Sequence, residues 1–201
     1  NFLIKNSVLH LTSTSNNLTS NALINAYGVG ISHCTIENST IWSTTAITQR
    51  YFLRYSNAYR PDRIYDTAVY PDNTVTITYK NSTFYKVSEQ GHIGNYDAIA
   101  NRVEATFTMQ KCIFVQCSSG QTARRFIKQS DKNPTYNFLY NTYWWTTAEG
   151  VTGTESGYDS YDKSGTVIDA DPMFSDPENG NFNVGGAEQR SKGCGDPRWL
   201  N

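Results

Sequence analysis

Apolar residues along the chain fall into short alternating runs, and five of those runs share one frame. The frame reads apolar, any, apolar, any, Asn, small, any, apolar. It is carried by Phe2–Leu9, Cys34–Ile41, Ile77–Phe84, Phe107–Phe114 and Asn137–Trp144. The key position falls at Asn6, Asn38, Asn81, Lys111 and Asn141, at intervals of 32, 43, 30 and 30 residues. Two positions earlier stand Ile4, Ile36, Tyr79, Met109 and Leu139; three later stand Leu9, Ile41, Phe84, Phe114 and Trp144. A small residue follows each time: Ser7, Ser39, Ser82, Cys112 and Thr142. Alternation with period two on both sides of the key position predicts two strands, each with one buried face. Asn accepts the left-handed backbone that a tight bend between them needs. Repetition of the whole unit predicts a solenoid whose coils stack at ~4.8 Å, with Asn side chains bonded along a column and apolar side chains stacked inside. A β-sandwich would not hold both flanking strands in one register five times, and no long stripe of helical period is present. The fold read from this pattern is all-β, a right-handed parallel β-helix of about five coils.

The repeat occupies residues 1–149, with one long interval that points to an insertion at about 43–73. Residues 150–201 read as a loop followed by a cap of the same domain. The chain has 201 residues, which suits one core rather than two. Only 17% of residues are charged and the net charge is −1. That balance gives no general field for nucleic acid or an anionic membrane. No apolar run is long enough to cross a bilayer. The opening Asn1-Phe2-Leu3-Ile4 is already strand-like, which suggests a piece of a longer protein with further domains upstream. Cys34, Cys112, Cys117 and Cys194 match no metal spacing and read as buried thiols, although Cys112 and Cys117 could also pair.

Near the C-terminus come Ala170-Asp171-Pro172-Met173-Phe174, Asp176-Pro177, Gly180-Asn181-Phe182 and Gly195-Asp196-Pro197-Arg198-Trp199. These segments cover about the last 35 residues. They resemble the C-terminal domain of uncharacterised surface lipoproteins of glycan-degrading gut bacteria, which carry a pectate-lyase-like right-handed β-helix. The resemblance implies export, a lipid anchor in an N-terminal region and a location outside the cell or on its surface. Met173, Phe174, Phe182, Val184 and Trp199 would cover the last coil. Asp169, Asp171, Asp176 and Asp196 could hold calcium, but their Pro and Gly neighbours favour turns.

Insertions in solenoids gather on one face, often the binding face. This one is dense in Arg and Tyr, including Arg50, Tyr51, Arg54, Tyr55, Tyr59, Arg60 and Tyr65. Aromatic rings suit the C–H faces of sugars, and guanidinium forks suit uronate carboxylates. Arg54, Tyr55, Tyr59, Arg60 and Tyr65 are therefore the candidate substrate-binding residues, with an acidic, pectin-like polysaccharide as the expected partner. Elimination chemistry would need a base and a neutralised carboxylate, for which Arg102, Arg124, Lys86 and Asp97 are candidates. Adjacent Arg124 and Arg125 are expected to alternate on a strand, so that only one faces a given side. His92 reads as a surface or turn histidine. Three functions remain open at this level: a polysaccharide-binding protein of the cell surface, a polysaccharide lyase or hydrolase on the same face, and a structural spacer.

Overall fold

A computed structural model describes residues 1–12, 22–26, 31–44, 50–55, 74–96, 99, 104–127 and 134–201. Three parallel sheets wrap one core. The first holds β1 (Phe2–Lys5), β4 (His33–Glu37), β7 (Thr74–Lys80), β10 (Glu104–Gln110) and β12 (Thr135–Leu139), in that order. The second stacks β2 (Val8–Leu11), β5 (Thr40–Ser43), β8 (Thr83–Tyr85), β11 (Ile113–Val115) and β13 (Thr142–Thr146). The third has three strands, β3 (Ala22–Ala26), β6 (Tyr51–Tyr55) and β9 (His92–Asn95). The expected β-solenoid is present, and its coil count needs correction. Among the described residues two sheets carry five rungs and three turns are complete. In the fourth, the short helix α1 (Thr122–Arg125) stands where a third strand would be. Among the described residues no helix is long and apolar enough to cross a membrane.

Each bend between the first and second sheets turns on one residue of positive φ: Asn6 (51°), Asn38 (49°), Asn81 (45°), Lys111 (54°) and Tyr140 (51°). The fifth position is thus Tyr140, not Asn141, and the last coil is shifted by one residue from the frame expected from sequence. Its inward residues are Phe138, paired with Met109, and Tyr143, paired with Phe114. The asparagine column exists for three rungs, along a partly exposed corner rather than inside. Asn38 Nδ2 donates to Asn6 Oδ1 and Asn81 Nδ2 to Asn38 Oδ1, both at 3.2 Å.

A second, buried ladder lies one residue on. The Ser39 amide donates to Ser82 Oγ at 3.2 Å, and Ser82 Oγ donates to Lys80 O at 2.7 Å. Ser7 and Ser39 repeat the arrangement one rung away. Asn141 enters the same ladder, its Oδ1 receiving the Cys112 amide at 3.1 Å. Small polar residues follow the bend because each must return one hydrogen bond to its own strand and accept one from the neighbouring coil. Ser82→Ala orphans the buried Ser39 amide and is expected to cost about 2 kcal/mol, the penalty for a buried donor without a partner. Ser82→Cys should recover part of it, since Cys112 already serves in the ladder by bonding Gln110 O. Urea unfolding of both variants checks this; an alanine cost below about 0.5 kcal/mol, within the range of ordinary surface substitutions, would show that the ladder is not stabilising.

Apolar ranks fill the interior. Tyr79, Phe84, Phe107, Met109 and Phe114 are fully buried. Phe84 stacks on Phe114 with ring centres 4.7 Å apart, and Phe114 on Tyr143 at 5.8 Å. Phe126, just after α1, sits 4.7 Å from Tyr79 and 6.1 Å from Phe107, so it fills the core beneath the missing strand. All four cysteines are buried and free, with Cys34 and Cys112 pushed up to about 12 by burial.

The C-terminal region divides in two. β14 (Thr152–Thr154) pairs antiparallel with β13, and Tyr158, Tyr161 and Val167 pack on the core at the last coil. Residues 168–200 do something else. The hairpin of β15 (Phe174–Asp176) and β16 (Asn181–Val184), then α2 (Ala187–Lys192), lie along the outer face of the second sheet. Phe182, Val184 and Trp199 meet Trp42, Tyr85 and Val115 there. The expectation that this segment plugs the end of the stack is corrected: it braces the side. Met173 is 62% exposed and takes no part in the cover.

Candidate functional site

The third sheet carries the functional candidates on its outer side. Register places Tyr51 beside His92 and Arg54 between Asn25 and Asn95. Phe52, Leu53 and Tyr55 turn into the core, as do Ile93 and Tyr96. Gly94 has no room for a side chain, because the Tyr96 ring passes 2.3 Å from where its Cβ would be. The sheet stops at β9, and α1 packs beside it. Both oxygens of the buried Glu155 carboxylate hold the start of α1, accepting from the Thr122 amide and hydroxyl at 2.6 Å each. Burial pushes Glu155 up to about 7.

Between the sheet edge and the helix is a cavity of about 200 Å³, lined by Arg50, Tyr51, His92, Gly94, Asn95 and Arg125 among others. None of the described lining residues is acidic. The guanidinium carbons of Arg50 and Arg54 lie 5.4 and 5.1 Å from the centre of the Tyr51 ring. The His92 ring meets the same tyrosine edge-on at 5.4 Å. Burial, then the charges of Arg125, Arg50 and Arg124, bring the His92 imidazolium down to about 4. At neutral pH the histidine is therefore an uncharged donor and acceptor inside a cationic field.

Of the residues expected to bind, Arg54 lies on this face. Tyr55 is corrected to a core residue: it is 3% exposed, and its hydroxyl donates to Ile31 O. Tyr51 is 6% exposed, its ring overlaid by arginines, so neither tyrosine offers a free stacking platform. Tyr59, Arg60 and Tyr65 lie outside the described residues, as do Arg102 and Asp97. Lys86 is held by Glu178 of the C-terminal segment, beside the Tyr85 ring. Arg124 and Arg125 sit on a helix rather than a strand. The four aspartates raised as calcium ligands act in turns and braces. Asp169 accepts from Thr154 and Asp171 from the Met173 amide; Asp176 accepts from Asn179 and Asp196 from Arg198 and Thr40. No cluster of three metal-ligating side chains occurs among the described residues.

Sequence pattern does not bring Arg50, His92 and Arg125 together, and it does not point to Asn95. A faint signal exists in the five-residue runs Ala22–Ala26, Tyr51–Tyr55 and His92–Tyr96, each with Asn or Arg fourth. Their distance from the bend residue shrinks from 16 to 13 to 11 positions, which hides the repeat.

Residues 77–199, well over half of the chain, match the model of a family described as a domain of unknown function, DUF5123. The chain belongs to this family. Within the described structure, the DUF5123 region takes in most of β7, the rungs that follow, α1 and the bracing segment. His92 and Arg125 therefore fall inside it, and Arg50 and Arg54 precede it. No curated protein and no solved structure matches the chain.

Proposed function

We propose that the third-sheet face binds an acidic polysaccharide through a uronate carboxylate. The observation that carries this reading is the cavity lined by Arg50, His92 and Arg125, two guanidinium groups around a neutral imidazole. A guanidinium can hold a carboxylate through two parallel hydrogen bonds, and a partly buried site strengthens them. Asn95 and the neutral His92 supply partners for hydroxyls. Recognition here rests on charge and hydrogen bonds rather than on ring stacking. A surface location with a lipid anchor, on a pectate-lyase-like scaffold, belongs to the same proposal and rests on the C-terminal resemblance.

Arg50→Ala combined with Arg125→Ala is expected to weaken binding of a galacturonate tetramer at least about tenfold, the loss of two charge-assisted contacts. His92 gives an independent readout. A bound anion raises its pKa from about 4, so binding takes up protons and affinity rises as pH falls from about 6.5 toward 4. Calorimetry and the NMR titration of the His92 ring measure both. Unchanged affinity in the double variant, with an unmoved His92 titration, would remove the proposal.

One observation favours a second reading, elimination. A neutral imidazole beside the two guanidinium groups of the cavity could accept a proton next to a neutralised carboxylate. Ultraviolet absorbance of an unsaturated product, lost in His92→Ala, would establish it.

A further inference from the structure

α1 separates the cationic cavity from a second one, of about 240 Å³, between the helix and residues 155–161. Successive helical residues point about 100° apart. Arg125 thus reaches the first cavity while Arg124 reaches the second, alongside Gln121, Glu155, Ser156, Tyr158 and Tyr161.

The second cavity has a different chemistry. Its described lining holds one guanidinium and one carboxyl group, so it has little preference for an anion. Glu155 is 3% exposed and fixed in place by Thr122. The Arg124 guanidinium lines this cavity; its Nη1 donates to Gln121 Oε1 at 3.5 Å, and its Nε is buried with no partner among the described residues. Two half-buried tyrosines, Tyr158 and Tyr161, add flat apolar faces, and Gln121 and Ser156 add hydrogen-bonding groups at the wall. The volume is below the ~300 Å³ at which drug-sized ligand pockets begin, which limits the occupant to about one ring.

We propose that this second cavity is a subsite for a neutral sugar, so that the preferred ligand is a heteroglycan that carries both uronate and neutral residues. The inference rests on the uronate reading of the first cavity, and α1 is the element that divides the two subsites. The Arg124 guanidinium then donates to a ring hydroxyl. Gln121 and Ser156 exchange hydrogen bonds with others.

Calorimetry on the full chain with two probes tests it: a galacturonate tetramer and an alternating galacturonate–rhamnose tetramer. The variants are Arg124→Ala, Arg125→Ala and Ser156→Trp. Ser156 is exposed at the rim, so tryptophan there obstructs the cavity without touching the core. The alternating probe should bind the unaltered protein at least fivefold more tightly. Arg124→Ala and Ser156→Trp should each erase that advantage and leave the galacturonate tetramer unaffected, while Arg125→Ala should weaken both probes. If Arg124→Ala and Ser156→Trp change neither probe while Arg125→Ala weakens both, the subsite is overturned and the uronate reading stands. If Arg125→Ala is silent while Ser156→Trp removes binding of the alternating probe, the uronate reading fails and the sugar subsite survives alone. Failure of both probes to bind overturns the two together.

Discussion

Phe84→Ala is expected to lower stability by about 4 kcal/mol, because it empties the centre of the aromatic column. Phe84 is wholly buried on β8 at the middle of the stack. Its ring lies 4.7 Å from Phe114, 5.3 Å from Tyr79 and 5.9 Å from Phe52. Truncation removes transfer free energy and leaves a void among three rings that belong to different rungs and cannot all collapse into it. For a chain of this size the loss corresponds to a fall in Tm of about 8 to 16 °C. Because a solenoid couples mainly nearest neighbours, hydrogen exchange should quicken first in β5, β8 and β11. Phe2→Ala, on the half-buried first rung, serves as the comparison and should cost clearly less. Thermal unfolding followed by circular dichroism decides it; a Phe84 cost below about 1.5 kcal/mol would mean that the aromatic column does not hold the coils together.

Asp196→Ala is the second large effect, expected at about 3 kcal/mol. The carboxylate is 1% exposed and joins the bracing segment to the second sheet. It accepts from Thr40 Oγ1 at 2.8 Å and from the Arg198 amide and Nε at 3.1 Å, and its own amide donates to Thr83 Oγ1. Trp199 Nε1 closes the group on Thr40 Oγ1. Alanine leaves a buried hydroxyl donor and a half-exposed guanidinium without their acceptor. The released end should redden tryptophan fluorescence and expose residues 193–201 to protease. Asp171→Ala is the control, because that aspartate is exposed and bonds only a local turn. Equal protease resistance in the two variants would refute a bracing role for Asp196.

The two residues differ in how far the sequence reveals them. Phe84 is legible as an inward residue from the repeat alone, since its rank position follows from period-two alternation around Asn81. Asp196 reads only as a turn residue, because nothing in its neighbours says that the turn docks on Thr40 and Thr83, more than a hundred residues earlier. The fifth rung shows a subtler limit. Asn141 looks like a bend residue because asparagine tolerates positive φ. The structure uses Tyr140 there and places Asn141 in the serine ladder, where its amide can accept from Cys112 and donate to Met109 O. One side chain satisfies either role, and only the register of β12 on β10 separates them.

Local pattern determined the parallel coils, the bends and the inward ranks, because each depends on alternation and on a few residues around one tight turn. Tertiary structure decided the rest. It stopped the third sheet at three strands, because Phe126 fills the core under α1 where a further strand would have packed. It laid residues 168–200 along a sheet rather than over an end, because Trp42, Tyr85 and Val115 offered an apolar outer face. It also brought Arg50, His92 and Arg125 to one cavity. They lie on three successive coils, and stacking at ~4.8 Å turns separations of about forty and thirty residues into neighbours, a proximity that no local pattern contains.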